Sequence, residues 1–102
     1  METRNEFVSL TPVHPGRILQ MELNEREIKQ NLLAEQLGIA PTNLSNYING
    51  KRNFTADFAL KLEDTLGIPA IHWVNMQANY DLTKARIKRT ERINPARHAA
   101  ML

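Results

Sequence analysis

The sequence contains no cysteine and no long apolar run. Without thiols there are no disulfides and no thiolate metal sites, which suits a reducing compartment. A membrane-spanning helix needs about 20 apolar residues, and no segment provides them. Residues 1–10 carry both signs of charge where a signal peptide would be apolar. We therefore expect a cytoplasmic protein without membrane contact.

The sequence also lacks a constellation of catalytic or metal-binding residues. Its three histidines, His14, His72 and His98, lie in different segments and without the spacing of metal ligands. His14 directly precedes a proline, which favours a cap or a packed ring at the start of a helix. We expect no enzymatic activity, no cofactor and no metal.

The composition is that of one small globular domain. The chain has 102 residues, of which 42% are hydrophobic and 24% charged. Its net charge of +2 is uneven, because residues 1–50 hold four basic and six acidic side chains and residues 51–102 hold nine and five. The halves thus carry −2 and +4, which suits a protein that faces a polyanion with one part and another partner with the other.

The apolar periodicity predicts five helices and no strands, so the fold class is all-α. Pro15 opens the first helix, which has Leu19 and Leu23 on one face. A second helix, from about Lys29 to Leu37, ends at Gly38. Before these helices, residues 1–13 are predicted to form a flexible arm.

Pro41 opens a short third helix that stops at Asn49-Gly50. Thr55 is predicted to cap a fourth helix, which buries a stripe that includes Phe58 and Leu62 and ends at Gly67. Pro69 starts a fifth helix. In it one face is shared by Ile71, Val74 and Ala78, and Trp73, Met76 and Tyr80 lie beside that face. We place the domain at residues 14–83 and a basic tail at residues 84–102.

The second and third helices have the features of a helix-turn-helix. Two short helices that cross steeply need a small residue where they approach and a residue tolerant of positive φ at the turn, and Ala34 and Gly38 meet these needs. The residues predicted to point inward and fix the crossing angle are Leu33, Leu37, Ile39, Leu44 and either Tyr47 or Ile48. We expect the motif to extend from about Gln30 to Asn49.

The outward face of the third helix carries short polar side chains. Their spacing of i, i+3, i+4 and i+7 makes a continuous stripe, formed by Thr42, Ser45, Asn46 and Asn49. Exposed helices ordinarily use long Glu, Lys and Gln, because Ser, Thr and Asn compete with the backbone for hydrogen bonds. In a DNA major groove the same side chains can bond base edges. The alternative is an ordinary solvated helix face.

Five further residues are predicted to hold DNA phosphates: Lys29, Gln30, Asn43, Lys51 and Arg52. Lys51 and Arg52 follow the third helix directly, and Gln30 stands beside the free amides at the start of the second. Such contacts position a helix without specifying sequence. Lys51 and Arg52 could instead only complement the dipole at a helix end.

Three separated motifs resemble one group of proteins. They are His14-Pro15-Gly16 followed by Ile18-Leu19, Asn49-Gly50-Lys51-Arg52 followed by Thr55-Ala56, and Trp73, Asn75, Gln77 with Tyr80-Asp81-Leu82. Between His14 and Leu82 the chain resembles the HigA-type (VapI-like) antitoxins of the phage-repressor-like (XRE) helix-turn-helix superfamily. It departs from them at Lys29, where Ser or Thr is more usual, and at Val74 and Met76, where Leu is usual.

The resemblance implies a five-helix lambda-repressor-like fold, a homodimer, repression of the protein's own operon, and binding to a HigB-type toxin that cleaves mRNA. A homodimer would read an inverted-repeat operator. Within the last motif, Trp73 is interpreted as core. Asn75, Gln77 and Tyr80 are assigned to the dimer interface, although their types also fit core and cap positions.

Two other functions fit the same residues. A stand-alone XRE-type repressor shares the polar stripe but has no toxin partner. A protein-binding module could neutralise a toxin without DNA, and the acidic first half suits contact with a basic ribonuclease. A small basic gene directly beside this one would favour the antitoxin.

Overall fold

The computed structural model describes residues 11–93. It contains five helices in chain order: α1 Pro15–Arg26, α2 Gln30–Leu37, α3 Pro41–Ile48, α4 Ala56–Leu66 and α5 Ala70–Ile93. No strand is present between residues 11 and 93. The predicted all-α, five-helix fold is confirmed.

Several helix ends form where the local sequence predicts them. The ring nitrogen Nδ1 of His14 accepts a hydrogen bond of 2.9 Å from the backbone N–H of Gly16, so His14 caps α1. Thr55 caps α4 in the same way through the N–H of Phe58. Gly38 follows α2 with φ of 72° and Gly67 follows α4 with φ of 78°, the left-handed conformation that ends a helix.

A single apolar core joins the helices. Its fully buried members include Leu19 of α1, Leu33 of α2, Leu44 of α3 and Leu62 of α4, and each contributes about 1.5–3 kcal/mol by leaving water. Trp73 of α5 is also fully buried, as predicted. The inward residues predicted for the α2–α3 unit are buried or half-buried.

Of the face of α5 shared by Ile71, Val74 and Ala78, only Val74 packs against the core. Trp73 and Gln77 point into the domain, whereas Ile71 is 57% exposed and Ala78 is exposed. Helical spacing is compatible with burial of either Trp73 and Gln77 or Ile71 and Ala78. The positions of α1 and α4 decide which of the two faces is covered.

Glycine at position 16 allows α1 to approach the end of α3. A Cβ there would overlap the carbonyl oxygen of Tyr47 and lie 2.6 Å from that of Ile48. Only a residue without a side chain permits this backbone contact. The helix that reads DNA in our prediction is therefore braced by the first turn of α1.

The predicted division between residues 83 and 84 falls within α5, which continues without interruption through Ile93. The first ten residues of the predicted basic tail are therefore helical. The predicted arm reaches the described chain only at residues 11–13. Residues 1–10 of that arm and residues 94–102 of that tail lie outside the described residues.

Candidate nucleic-acid interface

The α2–turn–α3 unit is fixed by backbone hydrogen bonds and by its apolar side. The N–H of Ile39 donates to the carbonyl of Ala34 over 3.1 Å, which closes α2, and the carbonyl of Ala40 accepts from the amides that begin α3. Ala34 is fully buried where the two helices meet. The unit thus has the buried contacts that a helix-turn-helix needs to hold its crossing angle.

The outer face of α3 carries the predicted stripe. Thr42 and Asn49 are exposed, and Ser45 and Asn46 are half-buried. The Asn49 side-chain amide donates to the Ser45 hydroxyl over 3.1 Å, so these two form a pair. The side chains of Thr42 and Asn46 make no hydrogen bond to other residues of the described chain. Their polar atoms are available to a ligand.

Two exposed cations follow α3 in a tight loop. Gly50 has φ of 79°, and the N–H of Lys51 donates to the carbonyl of Asn46 over 2.8 Å, which turns the chain sharply. The guanidinium of Arg52 lies 5.0 Å from the centre of the Tyr47 ring. Tyr47 is 7% exposed and stacks on Phe58 at 3.7 Å between ring centres. Arg52 is therefore held by a cation–π contact to the core.

The other predicted phosphate ligands lie at the starts of two helices. Lys29 is exposed and precedes α2 without a side-chain cap, Gln30 is its half-buried first residue, and Asn43 is exposed in the first turn of α3. Free backbone amides at such helix starts attract anions. Lys51 and Arg52 follow α3 directly, and the phosphate contacts of all five residues stay a prediction.

Gln77 holds the loop that follows Arg52. Its side-chain oxygen accepts from the buried N–H of Phe54 over 2.8 Å, and its nitrogen donates to Asp81 at 3.0 Å and to Asn53 at 3.3 Å. The side chain is 6% exposed and its polar atoms are occupied within the chain. This burial leaves little of Gln77 exposed, and the dimer contact predicted for it stays a prediction. This role in holding the loop was not predicted from the sequence. The signal that could have indicated it is a polar residue four positions after Trp73, which was predicted as core.

The two other predicted interface residues differ in their surroundings. Asn75 is exposed. Tyr80 is half-buried and its ring meets that of His14 edge-on, 4.8 Å between centres. Tyr80 therefore contributes to the contact between α5 and the start of α1.

His14 joins α1, the loop after α3, and α5. Its ring contacts Phe54 and Tyr80, and it lies 3.5 Å from the position that a Cβ on Gly50 would take. Burial lowers the pKa of His14 below its ordinary value of 6.5, against opposing effects of the Arg52 backbone and the Asp81 carboxylate. The neutral ring is the form that accepts the hydrogen bond from Gly16.

Residues 11–93 offer neither a metal site nor a membrane span. No group of three or more His, Cys, Asp or Glu side chains in this range is placed to hold a metal ion. None of the helices within it is both long and apolar enough to cross a membrane.

Comparison with known proteins places this surface in a family context. The family model described as Helix-turn-helix matches residues 19–73, which include α2, the turn and α3. The chain is 38% identical to virulence-associated protein I of Dichelobacter nodosus over 74 residues, which cover 72% of this chain and 68% of that protein.

Solved structures of similar proteins share the fold. An addiction module antidote protein of the HigA family from Coxiella burnetii matches with a TM-score of 0.74 and 36% identity, covering 82% of this chain and 92% of that one. The Pseudomonas aeruginosa antitoxin HigA, solved with the higBA promoter, matches with a TM-score of 0.75 and 31% identity, covering 81% and 91%.

Proposed function

We propose that this chain, which belongs to the XRE-type helix-turn-helix family, binds operator DNA through α3 and represses its own operon as a HigA-type antitoxin. The family comprises DNA-binding regulators rather than enzymes. The observation that carries the proposal is the outer face of α3, where Thr42 and Asn46 have no side-chain partners within residues 11–93 and two exposed cations follow.

In this proposal α3 enters the major groove. Its eight residues span about 12 Å, comparable to the width of that groove. Asn46 is suited to pair with an adenine edge, its amide oxygen accepting from N6 and its amide nitrogen donating to N7, and the methyl of Thr42 is suited to contact a thymine methyl. Ser45 and Asn49 act as a bonded pair whose remaining lone pairs and N–H face the bases.

Phosphate contacts position the helix. Arg52 is the strongest candidate because the Tyr47 ring already restricts its side chain, so less entropy is lost on binding. Lys51, Lys29, Gln30 and Asn43 supply further phosphate contacts around α3. The similarity to an antitoxin solved with its promoter supports this arrangement.

We further propose a homodimer formed through α5. Ile71, Ala78 and Leu82 follow one another at helical spacing as an exposed apolar stripe, with Asn75 beside them, and Ile71 and Leu82 are 57% and 47% exposed. Replacing Leu82 with Glu should convert a dimer to a monomer in sedimentation experiments. Tight binding to an inverted repeat should be lost while binding to one half-site is retained.

The proposed second partner is a HigB-type toxin that cleaves mRNA. Similarity to proteins named antitoxin or antidote supports it, as does the net charge of −2 in residues 1–50, which suits a basic ribonuclease. Co-purification with the product of a small adjacent gene, and relief of its toxicity by this chain, would support the pair. If no such gene adjoins this one, the stand-alone repressor is favoured.

The experiment that tests the whole proposal is footprinting on the protein's own promoter, with and without the adjacent gene product. We expect protection of an inverted repeat whose half-sites lie about one helical turn apart, and a changed footprint when the toxin is added. An unprotected promoter would contradict the proposed autorepression.

A further inference from the structure

The last turns of α5 are strongly basic. Residues 84–92 carry five cations against the single carboxylate of Glu91, namely Lys84, Arg86, Lys88, Arg89 and Arg92. All five are exposed, and none forms an ion pair with a carboxylate within residues 11–93. Like charges four residues apart on a helix repel each other, so this arrangement does not serve the stability of α5. A partner of opposite charge would explain it.

Three of these cations continue the face of α5 that touches the loop after α3. Gln77 and Asp81 lie on that face, since Gln77 bonds both Phe54 and Asp81. Steps of three, four and four residues from Asp81 lead along the same face, so three cations extend it. We call these three residues the basic ridge: Lys84, Lys88 and Arg92.

The first residue of the basic ridge is linked through two rings to the loop that carries predicted phosphate ligands. The ammonium of Lys84 lies 5.0 Å from the centre of the Tyr80 ring, and that ring lies 4.8 Å from the ring of His14. His14 in turn packs against Gly50, the residue before Lys51. A continuous series of contacts therefore connects Lys84 to the loop that carries Lys51 and Arg52.

The dimensions of the basic ridge fit a nucleic-acid backbone. From Lys84 to Arg92 the helix rises about 12 Å. Phosphates along one strand of B-DNA follow each other at about 3.4 Å of helix axis, so the length of the ridge corresponds to about 3.5 phosphate spacings. The partner best matched to a straight row of exposed cations, linked through Tyr80 and His14 to the loop after the helix that we propose reads DNA, is the same DNA.

We propose that the basic ridge is a second phosphate-binding element, which grips the DNA backbone beside the base pairs that α3 reads. This inference rests on the proposed DNA-binding function and adds to it a contact from α5. The ridge would then contribute to affinity and to its salt dependence, and not to the choice of bases.

The test compares two double variants that remove the same charge from the same helix. Lys88→Gln with Arg92→Gln removes two cations of the basic ridge and leaves Lys84 on Tyr80. Arg86→Gln with Arg89→Gln removes two cations from a different face of α5, the one on which Leu82 lies. All four side chains are exposed, so both variants should fold, as thermal melting would verify. Sedimentation of both variants would verify an unchanged oligomeric state.

Binding to a duplex carrying the protein's own operator is measured between 50 and 200 mM salt. Affinity falls as salt rises, and each phosphate contact contributes about 0.9 to the steepness of log affinity against log salt. We expect the ridge variant to make this slope shallower by about 1.8. The factor by which affinity falls between 50 and 200 mM salt should then be about 12-fold smaller in the ridge variant than in the parent. The matched variant should keep the parent slope.

Equal slope changes in the two variants would overturn the proposal, because net charge alone would then explain them. An unchanged slope in the ridge variant, with a lower slope in Arg52→Ala, would also overturn it and leave the proposed function intact. A parent chain that binds no operator DNA would overturn the function itself. Lost binding to an acidic protein partner, with the DNA slope unchanged, would assign the ridge to that partner instead.

Discussion

Two sets of polar side chains in this molecule have opposite surroundings. On α3, Thr42 and Asn46 make no side-chain hydrogen bond within residues 11–93 and face outward. In contrast, Gln77 and His14 accept hydrogen bonds from the backbone amides of Phe54 and Gly16. Buried polar groups are mostly hydrogen-bonded within a fold, whereas exposed ones can bond a ligand. We call Gln77 and His14 the holding set, because they stabilise the fold around α3. We call Thr42 and Asn46 the reading set, because we propose that they contact DNA bases.

The largest expected effect comes from disrupting the contact between α1 and α3 while leaving Thr42 and Asn46 unchanged. Gly16→Ala places a Cβ on the carbonyls of Tyr47 and Ile48, so α1 and α3 must move apart. We expect a loss of roughly 3 kcal/mol in the free energy of unfolding, measured by chemical denaturation.

Gly67→Ala is the matched control for that variant. Gly67 has φ of +78°, but no atom lies within 4 Å of the position that a Cβ would take, so only backbone strain of about 1 kcal/mol is expected. Equal losses at positions 16 and 67 would show that the α1–α3 contact is not the cause.

Gln77→Ala tests the holding set directly. It leaves the buried N–H of Phe54 without an acceptor, which should cost about 1–3 kcal/mol of folding stability. Asn75→Ala, two residues away and exposed, should change stability by no more than about 0.5 kcal/mol. Similar melting temperatures for the two variants would remove Gln77 from the holding set.

Asn46→Ala tests the reading set. We expect specific DNA affinity to fall by about 1–3 kcal/mol while stability stays within about 0.5 kcal/mol of the parent. Affinity for random DNA should barely change. A loss of the same size on random DNA would count against base recognition by Asn46.

Arg52 has features of both sets: it contacts the buried ring of Tyr47, and it is exposed to solvent, where a phosphate can reach it. Arg52→Ala should lower the salt slope of DNA binding by about 0.9 on every sequence. Arg52→Lys keeps the charge and should keep most of that slope, with weaker binding because the guanidinium that contacts the Tyr47 ring is lost. If the slope of Arg52→Ala matches the parent, Arg52 makes no phosphate contact.

The smallest expected effect concerns the cap of α1. The folded-state pKa of His14 is lowered by burial, so the unfolded chain binds the proton more readily. The stability that His14 contributes is therefore complete above pH 6.5 and is lost as the pH falls from 6.5 toward the lower folded-state pKa. The difference in unfolding free energy between the parent and His14→Asn should shrink over that range. A constant difference from about pH 7.5 to about pH 5 would contradict this.

Local sequence was sufficient to predict several of the positions where helices begin and end. Pro15, Pro41 and Thr55 mark starts, and Gly38 and Gly67 mark ends, because each acts through its own backbone geometry or a hydrogen bond to a near neighbour. The polar stripe of α3 was visible for the same reason, since helical spacing alone brings its members to one face. Its contacts with DNA remain a prediction.

Long-range packing could not be predicted in the same way. The sequence determined five helices, the turn between α2 and α3, and a face of α3 with unusual polar residues. Only the tertiary structure decided that α5 buries Gln77 beside Trp73 and leaves Ile71 and Ala78 exposed, and that Gly16 lies against α3. These facts depend on residues 23 to 32 positions apart in the chain, and periodicity carries no information about which of two possible faces a distant helix will cover.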